Sequence, residues 1–237
     1  MGLLGKVRGD LRRAQSWADK GRKGALHGLQ LSGSDVSGVD LKGADLSGSD
    51  LSGANLDAAK LSGAKLVEVD FSDASMRGVG ARYADFSKAV LDRADLADAN
   101  LHGSCLAGAS ARDTSFSRCN LGEADLTGAD LRGAVLRHTD LRRADLTGAR
   151  VDAGSFKETH LEGATLTGTG LTPAKLTRRT PETITCPKCG GQGWWTEERT
   201  GATHRCPTCD TRGEVRTGHM TEIQLAEWDD ETVWDEG

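Results

Sequence analysis

Leu26 opens a register in which every fifth residue is apolar, and the register does not slip until Leu176. Leu31, Val36, Leu41, Leu46, Leu51 and Leu56 begin it and Leu161, Leu166, Leu171 and Leu176 close it, 31 consecutive positions in a chain that is 37% apolar. One repeating structural unit therefore accounts for most of the chain. Two residues before the apolar position stands a small one, as at Ala44, Ala54, Ala64, Ala84, Ala94, Ala99, Ala124, Ala129, Ala134 and Ala144. A period of five fits neither the 3.6 of a helix nor the 2 of a plain strand, and a helix would smear these leucines around its circumference. The pattern predicts a chain that turns a corner every five residues. The large side chain fills the interior and the small one lets the backbone close around it. Gly and Ser or Thr crowd the outward positions at Ser47-Gly48, Ser52-Gly53, Ser62-Gly63 and Thr127-Gly128, where turns need a permissive backbone.

The units Ala44-Asp45-Leu46-Ser47-Gly48, Ala54-Asn55-Leu56 and Ala124-Asp125-Leu126-Thr127-Gly128 resemble the Ala-Asp/Asn-Leu-x-x consensus of the pentapeptide-repeat family, over about two-thirds of the chain. The resemblance implies an all-β fold, a right-handed quadrilateral β-helix with 20 residues per coil, so residues 26–176 give about 7.5 coils. At ~4.8 Å between paired strands this is a rod of roughly 36 Å. Four large apolar residues per coil, each worth ~1.5 to 3 kcal/mol on burial, together with a continuous backbone ladder, explain how a solenoid holds together with few aromatic residues. The pattern departs from itself at Phe71, Met76, Ala81 and Phe86, with Val69 and Val79 at small positions and Gly80 before Ala81. Distorted coil packing is expected around 67–83. A bulge or binding spot beside an outward Tyr83 is one reading, and exchange of volume between large and small interior residues is the commoner explanation. Ser110-Ala111 and Thr114-Ser115-Phe116 look like the same exchange.

The ends of such a rod expose unpaired backbone edges, so the flanks are read as caps. In residues 1–25, Leu3, Val7, Leu11, Ala14 and Ala18 recur at helical spacing with Leu4 and Trp17 beside them, while Lys6, Arg8, Arg12, Arg13 and Lys20 point elsewhere. This predicts an amphipathic basic helix that caps the first coil, with contact to a membrane surface or nucleic acid as alternatives. After the repeat come a linker at 177–183, a cysteine module at 184–217 and an acidic tail at 218–237. Charge is segregated: residues 1–30 carry seven Lys/Arg and two Asp/Glu, and residues 220–237 carry no Lys/Arg and seven Asp/Glu. The repeat itself, 31–176, holds 16 basic and 21 acidic residues, so no segment is a large basic surface.

Cys186-Pro187-Lys188-Cys189 and Cys206-Pro207-Thr208-Cys209 form C-x2-C-x16-C-x2-C. Four thiolates in two close pairs suit one tetrahedral, structural Zn²⁺, and the spacing falls within that of zinc ribbons. Disulfide pairing is the competing use, and His204 an alternative ligand. Trp194-Trp195 through His204-Arg205 reads as a hairpin turning near Thr200-Gly201. The segment Cys-Pro-Lys-Cys-Gly-Gly-Gln-Gly resembles the Cys-x-x-Cys-x-Gly-x-Gly repeat of the DnaJ chaperone zinc domain, but Thr211 departs from it in the second knuckle and two knuckles stand where that domain has four. Chaperone activity is not implied. Cys105 falls at an outward repeat position and Cys119 at an inward small one.

The chain carries no nucleophile elbow, phosphate-binding glycine loop or His-Glu metal motif, so it reads as no enzyme. No apolar run approaches a membrane span and no signal peptide is evident, so a cytoplasmic protein is expected. The reading from the residues is a protein-interaction scaffold or adaptor: a rigid rod, a zinc module presenting Trp194 and Trp195, and an acidic docking tail with Trp228 and Trp234. The family resemblance implies an alternative, a DNA mimic that binds DNA gyrase. Asp45, Asp85, Asp125 and Asp145 would then imitate phosphates, since positions 20 apart share a side, although Lys65 and Cys105 interrupt the stripe. Binding of RNA or the ribosome through the basic helix, Arg178-Arg179 and the module's aromatics is a third reading.

Overall fold

The computed structural model describes residues 3–17, 19–21, 26–156, 158–171, 177–185, 194–196, 203–205, 214–224, 226–227 and 232. They comprise helix α1 (Leu3–Gln15) and strands β1 (Thr159–His160), β2 (Thr177–Thr185), β3 (Trp194–Thr196), β4 (Thr203–Arg205), β5 (Glu214–Gln224) and β6 (Ala226–Glu227). Two compact units result, one of 1–176 with 225–237 and one of 177–224.

From Leu26 onward the chain winds in coils of 20 residues, and each unit of five contributes one parallel β-bridge to the coil below and one to the coil above. The bridges stack into four walls. The first runs through residues 30, 50, 70, 90, 110, 130 and 150, the second from 35 to 135, the third from 40 to 160 and the fourth from 45 to 165. The backbone shows why five residues make a unit. In Leu46–Asp50, the N–H groups of Leu46 and Gly48 donate to Lys65 O and Val67 O in the next coil, and that of Asp50 to Leu29 O in the previous one. Ser49 N closes the turn onto Leu46 O. The remaining N–H, of Ser47, points outward and donates to Asp45 Oδ1 at 3.1 Å. All five donors are satisfied, which explains the Asp or Asn before the large residue. Where Ser75 and Ser110 replace it, a carboxylate of the preceding coil takes over: Asp57 accepts from Ser75 Oγ and Arg77 N, and Asp92 from Ser110 Oγ and Arg112 N.

Each corner also demands one left-handed residue. Glycine serves at positions such as Gly48, Gly53 and Gly63, but among the described residues thirteen others adopt φ between 56° and 63°, from Ala58 to Glu158. Each carries strain of about 1 kcal/mol or more, which the surrounding ladder over-determines.

The core is a continuous column of buried Leu, Phe, Val and Met alternating with Ala. Volume exchange explains the irregular coil. Phe71 and Phe86 meet at 5.9 Å between ring centroids, in the same coil as the much smaller Ala81. The distortion expected at 67–83 is absent, since bridges 60–80–100, 65–85 and 70–90 run through it unbroken. Thr114, Thr139 and Thr159 sit inside at small positions, and each hydroxyl donates to a main-chain oxygen 23 residues earlier. The walls are interrupted late, where a single 3-10 turn at Ala153–Phe156 buries Phe156 and the Asp152 carboxylate replaces a backbone acceptor for Gly133 N.

At the N-terminal end, Ala14 and Trp17 join the core cluster with Leu26 and Leu29. Asp10, almost fully buried, accepts from Gln30 N at 3.0 Å, so α1 supplies an acceptor at the first bridge of the first wall. Lys6, Arg8, Arg12, Arg13 and Lys20 are exposed. At the other end β6 pairs in parallel with β1, Thr159 with Ala226 and His160 with Glu227. Thr232 Oγ1 donates to Leu161 O at 2.9 Å, repeating the inward threonine bond of the earlier coils.

In the second unit β2 pairs with β5 antiparallel from Thr177–Gln224 to Thr185–Glu214, and β3 with β4 through Trp194–Arg205 and Trp195–His204. The stretch 177–183, expected as a linker, is therefore strand. Thr177, Thr180 and Thr183 favour extended backbone, and Pro181 falls at a register irregularity where a missing N–H is tolerated. Residues 218–224, expected as tail, are the second half of β5. Among the described residues no helix is long and apolar enough to cross a membrane.

Phe86→Ala should lower unfolding free energy by about 3–5 kcal/mol and Gly53→Ala by about 1, with Ser52→Ala within about 0.5. Urea or thermal melts of the three variants check that order.

Candidate functional site

With the interior filled and the backbone satisfied, chemistry is left to the outward side chains of walls and corners. The fourth wall places Asp45, Lys65, Asp85, Cys105, Asp125 and Asp145 in one column, each bridged to the next. Asp45, Asp85, Asp125 and Asp145 hold one pose: Oδ1 accepts the N–H and the hydroxyl of the Ser or Thr two residues on. Ser47 holds the Asp45 carboxyl below the usual range, through its hydroxyl and then its N–H. Burial pulls Asp125 upward but is outweighed by the hydroxyl and N–H of Thr127 and the Cys105 thiol, leaving it lowered.

Several carboxylates elsewhere on the coil are paired with arginine, although Asp50 and Asp70 of the first wall likewise accept the N–H two residues on and have no arginine contact among the described residues. Arg93 grips Asp73 at 2.6 and 2.7 Å, and Arg118 grips Asp98 at 2.7 and 2.8 Å. Arg77 reaches Asp95 at 2.7 Å, and Arg142 chelates Asp140 at 2.6 and 2.8 Å. Asp130, largely buried, receives Arg132 and Arg112, with Arg150 at 3.8 Å, and the Arg132 bonds above all push its pKa far down. None of the four fourth-wall aspartates lies in an ion pair among the described residues. The fourth-wall aspartates thus stay free of arginine, with Lys65 the cation of their own column.

Where the third wall turns into the fourth, a groove of about 430 Å³ lies between Arg82, His102, Asn120, Gly122, Glu123, Asp140, Arg142, Arg143 and Glu162. Tyr83 stands beside it, 61% exposed, edge-on to His102 at 5.7 Å and under Arg82 at 5.4 Å. Sequence reasoning singled out Tyr83 but missed the groove. Its signal was present as Leu121-Gly122-Glu123, where glycine precedes the position that needs it.

A pentapeptide-repeat model (eight copies) matches residues 26–63, 54–93, 74–110 and 114–151, more than half of the chain. The chain belongs to the pentapeptide-repeat family. Among solved structures it is similar to HetL of Nostoc sp. PCC 7120, a pentapeptide repeat protein involved in heterocyst differentiation regulation, at 26% identity and TM-score 0.25 over 59% of this chain and 77% of that one. A pentapeptide repeat protein of the Arabidopsis thaliana thylakoid lumen matches at 30% identity and TM-score 0.35, over 57% and 73%. The trypsin-treated form of QnrB1, a plasmid-mediated fluoroquinolone resistance protein, matches at 21% identity and TM-score 0.47, over 60% and 74%. No protein of curated function matches the chain in sequence.

Outside the repeat, Trp194 and Trp195 lie on β3, paired with Arg205 and His204 of β4. Cys186, Cys189, Cys206 and Cys209 fall outside the described residues, as do Trp228 and Trp234. Of the cysteines in the pentapeptide repeat, Cys119 is buried and burial pushes its thiol well above the usual range. Cys105 is partly exposed, its sulfur 3.2 Å from Ser87 Oγ and 3.7 Å from Asp125 Oδ2.

The lowered carboxyls of Asp130 and Asp140 contribute stability that is complete above their unfolded pKa, roughly 4, and is lost as pH falls through the lower folded values. Asp130→Asn should therefore lower Tm at pH 7 and flatten its decline between pH 5 and 2, as measured by circular dichroism.

Proposed function

We propose that this pentapeptide-repeat protein is a non-enzymatic protein-interaction scaffold, a rigid coil that carries a structural zinc module and meets a protein partner. The observation that carries the reading is the fourth wall. It displays fixed carboxylates at two- or single-coil intervals, oriented by Ser and Thr and left without arginine partners, as a surface complementary to a cationic partner needs. Helix α1 acts as the cap of the first coil, through Asp10 and Trp17, and β6 with Thr232 covers part of the last.

The second unit supports the module. Strands β2 and β3 bound the segment with Cys186 and Cys189, and β4 and β5 bound that with Cys206 and Cys209. Two antiparallel ladders flanking two Cys-x-x-Cys pairs fit one tetrahedral Zn²⁺, which those four thiolates would hold as a closed, structural site. The unit is tied at both ends, because its first and last residues, Thr177 and Gln224, are paired. Trp194 and Trp195 on β3, and Trp228 and Trp234 in the acidic tail, are the anchors offered to a partner.

The same wall favours a second reading, in which the carboxylate column imitates a DNA backbone and the partner is DNA gyrase. Asp45, Asp85, Asp125 and Asp145 are then the binding residues.

Affinity capture with the full chain, identified by mass spectrometry, separates the two. The scaffold reading expects a stoichiometric partner lost with Cys186→Ser/Cys189→Ser. Mimicry expects gyrase, inhibition of supercoiling, and loss of both in Asp85→Asn/Asp125→Asn/Asp145→Asn. Elemental analysis of the purified chain should give one zinc per chain, and none in the cysteine variant; a full complement of disulfides would overturn the zinc assignment.

A further inference from the structure

Regular units of this coil put glycine second in the turn, where φ is positive, as at Gly103 and Gly128. In one turn between the third and fourth walls, that between Asn120 and Asp125, the order is reversed. Glu123 takes the left-handed conformation at φ 59°, while the buried Gly122 before it does not need one. The exchange adds strain and leaves one thing in return, an empty place in a column otherwise filled by Arg82, His102, Arg142 and Glu162. A Cβ at 122 would stand 3.2 Å from Asn120 Oδ1 and 3.3 Å from His102 Nδ1, so even alanine narrows the notch.

The groove is polar and its charges are incompletely matched. Arg142 is locked onto Asp140 and serves as wall. Arg82 and Arg143 have no carboxylate within ion-pair distance among the described residues. Glu162 Oε1 lies 3.8 Å from His160 Nδ1, whereas Oε2 is buried with no hydrogen-bond partner, and an orphaned carboxylate oxygen calls for a donor. Tyr83 lies across Gly103, where a Cβ would come within 2.5 Å of its ring, giving the Arg82 end an ordered aromatic floor. From Arg82 to Glu162 the column spans four coil spacings of ~4.8 Å, about 19 Å, the length of roughly six extended residues.

We propose that this groove docks an extended segment of a protein partner, with an acidic side chain against Arg82, since His102 already faces Glu123 at 3.7 Å, and, about six residues away, a lysine or arginine against Glu162. The proposal rests on the protein-interaction reading and names the recognition element of such a partner. Tyr83 supplies the apolar anchor beside the acidic residue, and the Gly122 notch admits the segment's backbone or a small side chain between the two charged ends.

The test is a titration of the ¹⁵N-labelled full chain with the peptide acetyl-Glu-Gly-Ser-Gly-Ser-Gly-Lys-amide, against the same peptide with both charged residues replaced by Gln. Saturable shifts are expected at the amides of Gly103, Gly122 and Glu123, at least about tenfold weaker with the neutral peptide. Gly122→Leu should abolish them, and Glu162→Gln should weaken binding to a similar degree with the rest of the spectrum unchanged. No saturable shift at millimolar peptide, equal response to the neutral peptide, or binding unaffected in both variants overturns the proposal. Such a failure leaves the scaffold reading standing, because affinity capture through the fourth wall and the cysteine module tests that separately.

Discussion

Hydrogen bonding between residues 20 apart in sequence is the constraint on which the rest of this molecule depends. Each five-residue unit sends N–H groups to the coil above and the coil below, so no coil can shift without breaking bonds on two sides. Once the ladder is fixed, the interior is a column of fixed cross-section, and one large and one small side chain per unit fill it. A deviation in one member must be answered nearby, as Phe71 and Phe86 answer Ala81. Among the described residues the ladder also holds thirteen non-glycine residues in the left-handed region, a conformation that local preference alone would reject.

That arrangement divides labour between the inside and the outside of the coil. Structure consumes the interior and the corner backbone, and even the outward aspartates give one carboxylate oxygen to a turn. What is left for function is the second oxygen of each aspartate, the corner side chains and the ends. Charge is distributed unevenly over this remainder. Arginines neutralise Asp73, Asp95, Asp98, Asp130 and Asp140, whereas the aspartates of the fourth wall keep their charge beside a corner rich in Arg, His and Tyr. A largely acidic wall, interrupted by Lys65 and Cys105, thus borders a corner of mixed sign with an exposed aromatic.

Much of the coil was legible in the sequence because its period is short and every unit repeats the same demand. The five-residue register, the inward alanines, the volume exchange at Phe71 to Phe86 and the placing of Asp45, Asp85, Asp125 and Asp145 on one side all follow from counting. Periodicity could not reveal what breaks it. The carboxylates of Asp57 and Asp92 replace a missing Asp one coil later, which becomes visible only when residues 20 apart are neighbours. The groove depends on a glycine displaced by one place, Gly122 for Glu123, a signal that reads as noise until backbone angles are known. Proline, arginine and acidic composition mark residues 177–183 and 218–224 as linker and tail, while long-range pairing between them makes them strands.

The most direct test of this account is amide hydrogen exchange along the coil. If the ladder between residues 20 apart governs stability, then the amides of Leu46, Leu66, Phe86, Leu106 and Leu126, which all donate to the next coil, exchange together and slowly, only through large-scale opening. The outward amides of Ser47, Ser87 and Thr127, held by an aspartate side chain alone, exchange orders of magnitude faster. Equal rates in the two sets, or a coil around 67–83 that opens well before its neighbours, would contradict it.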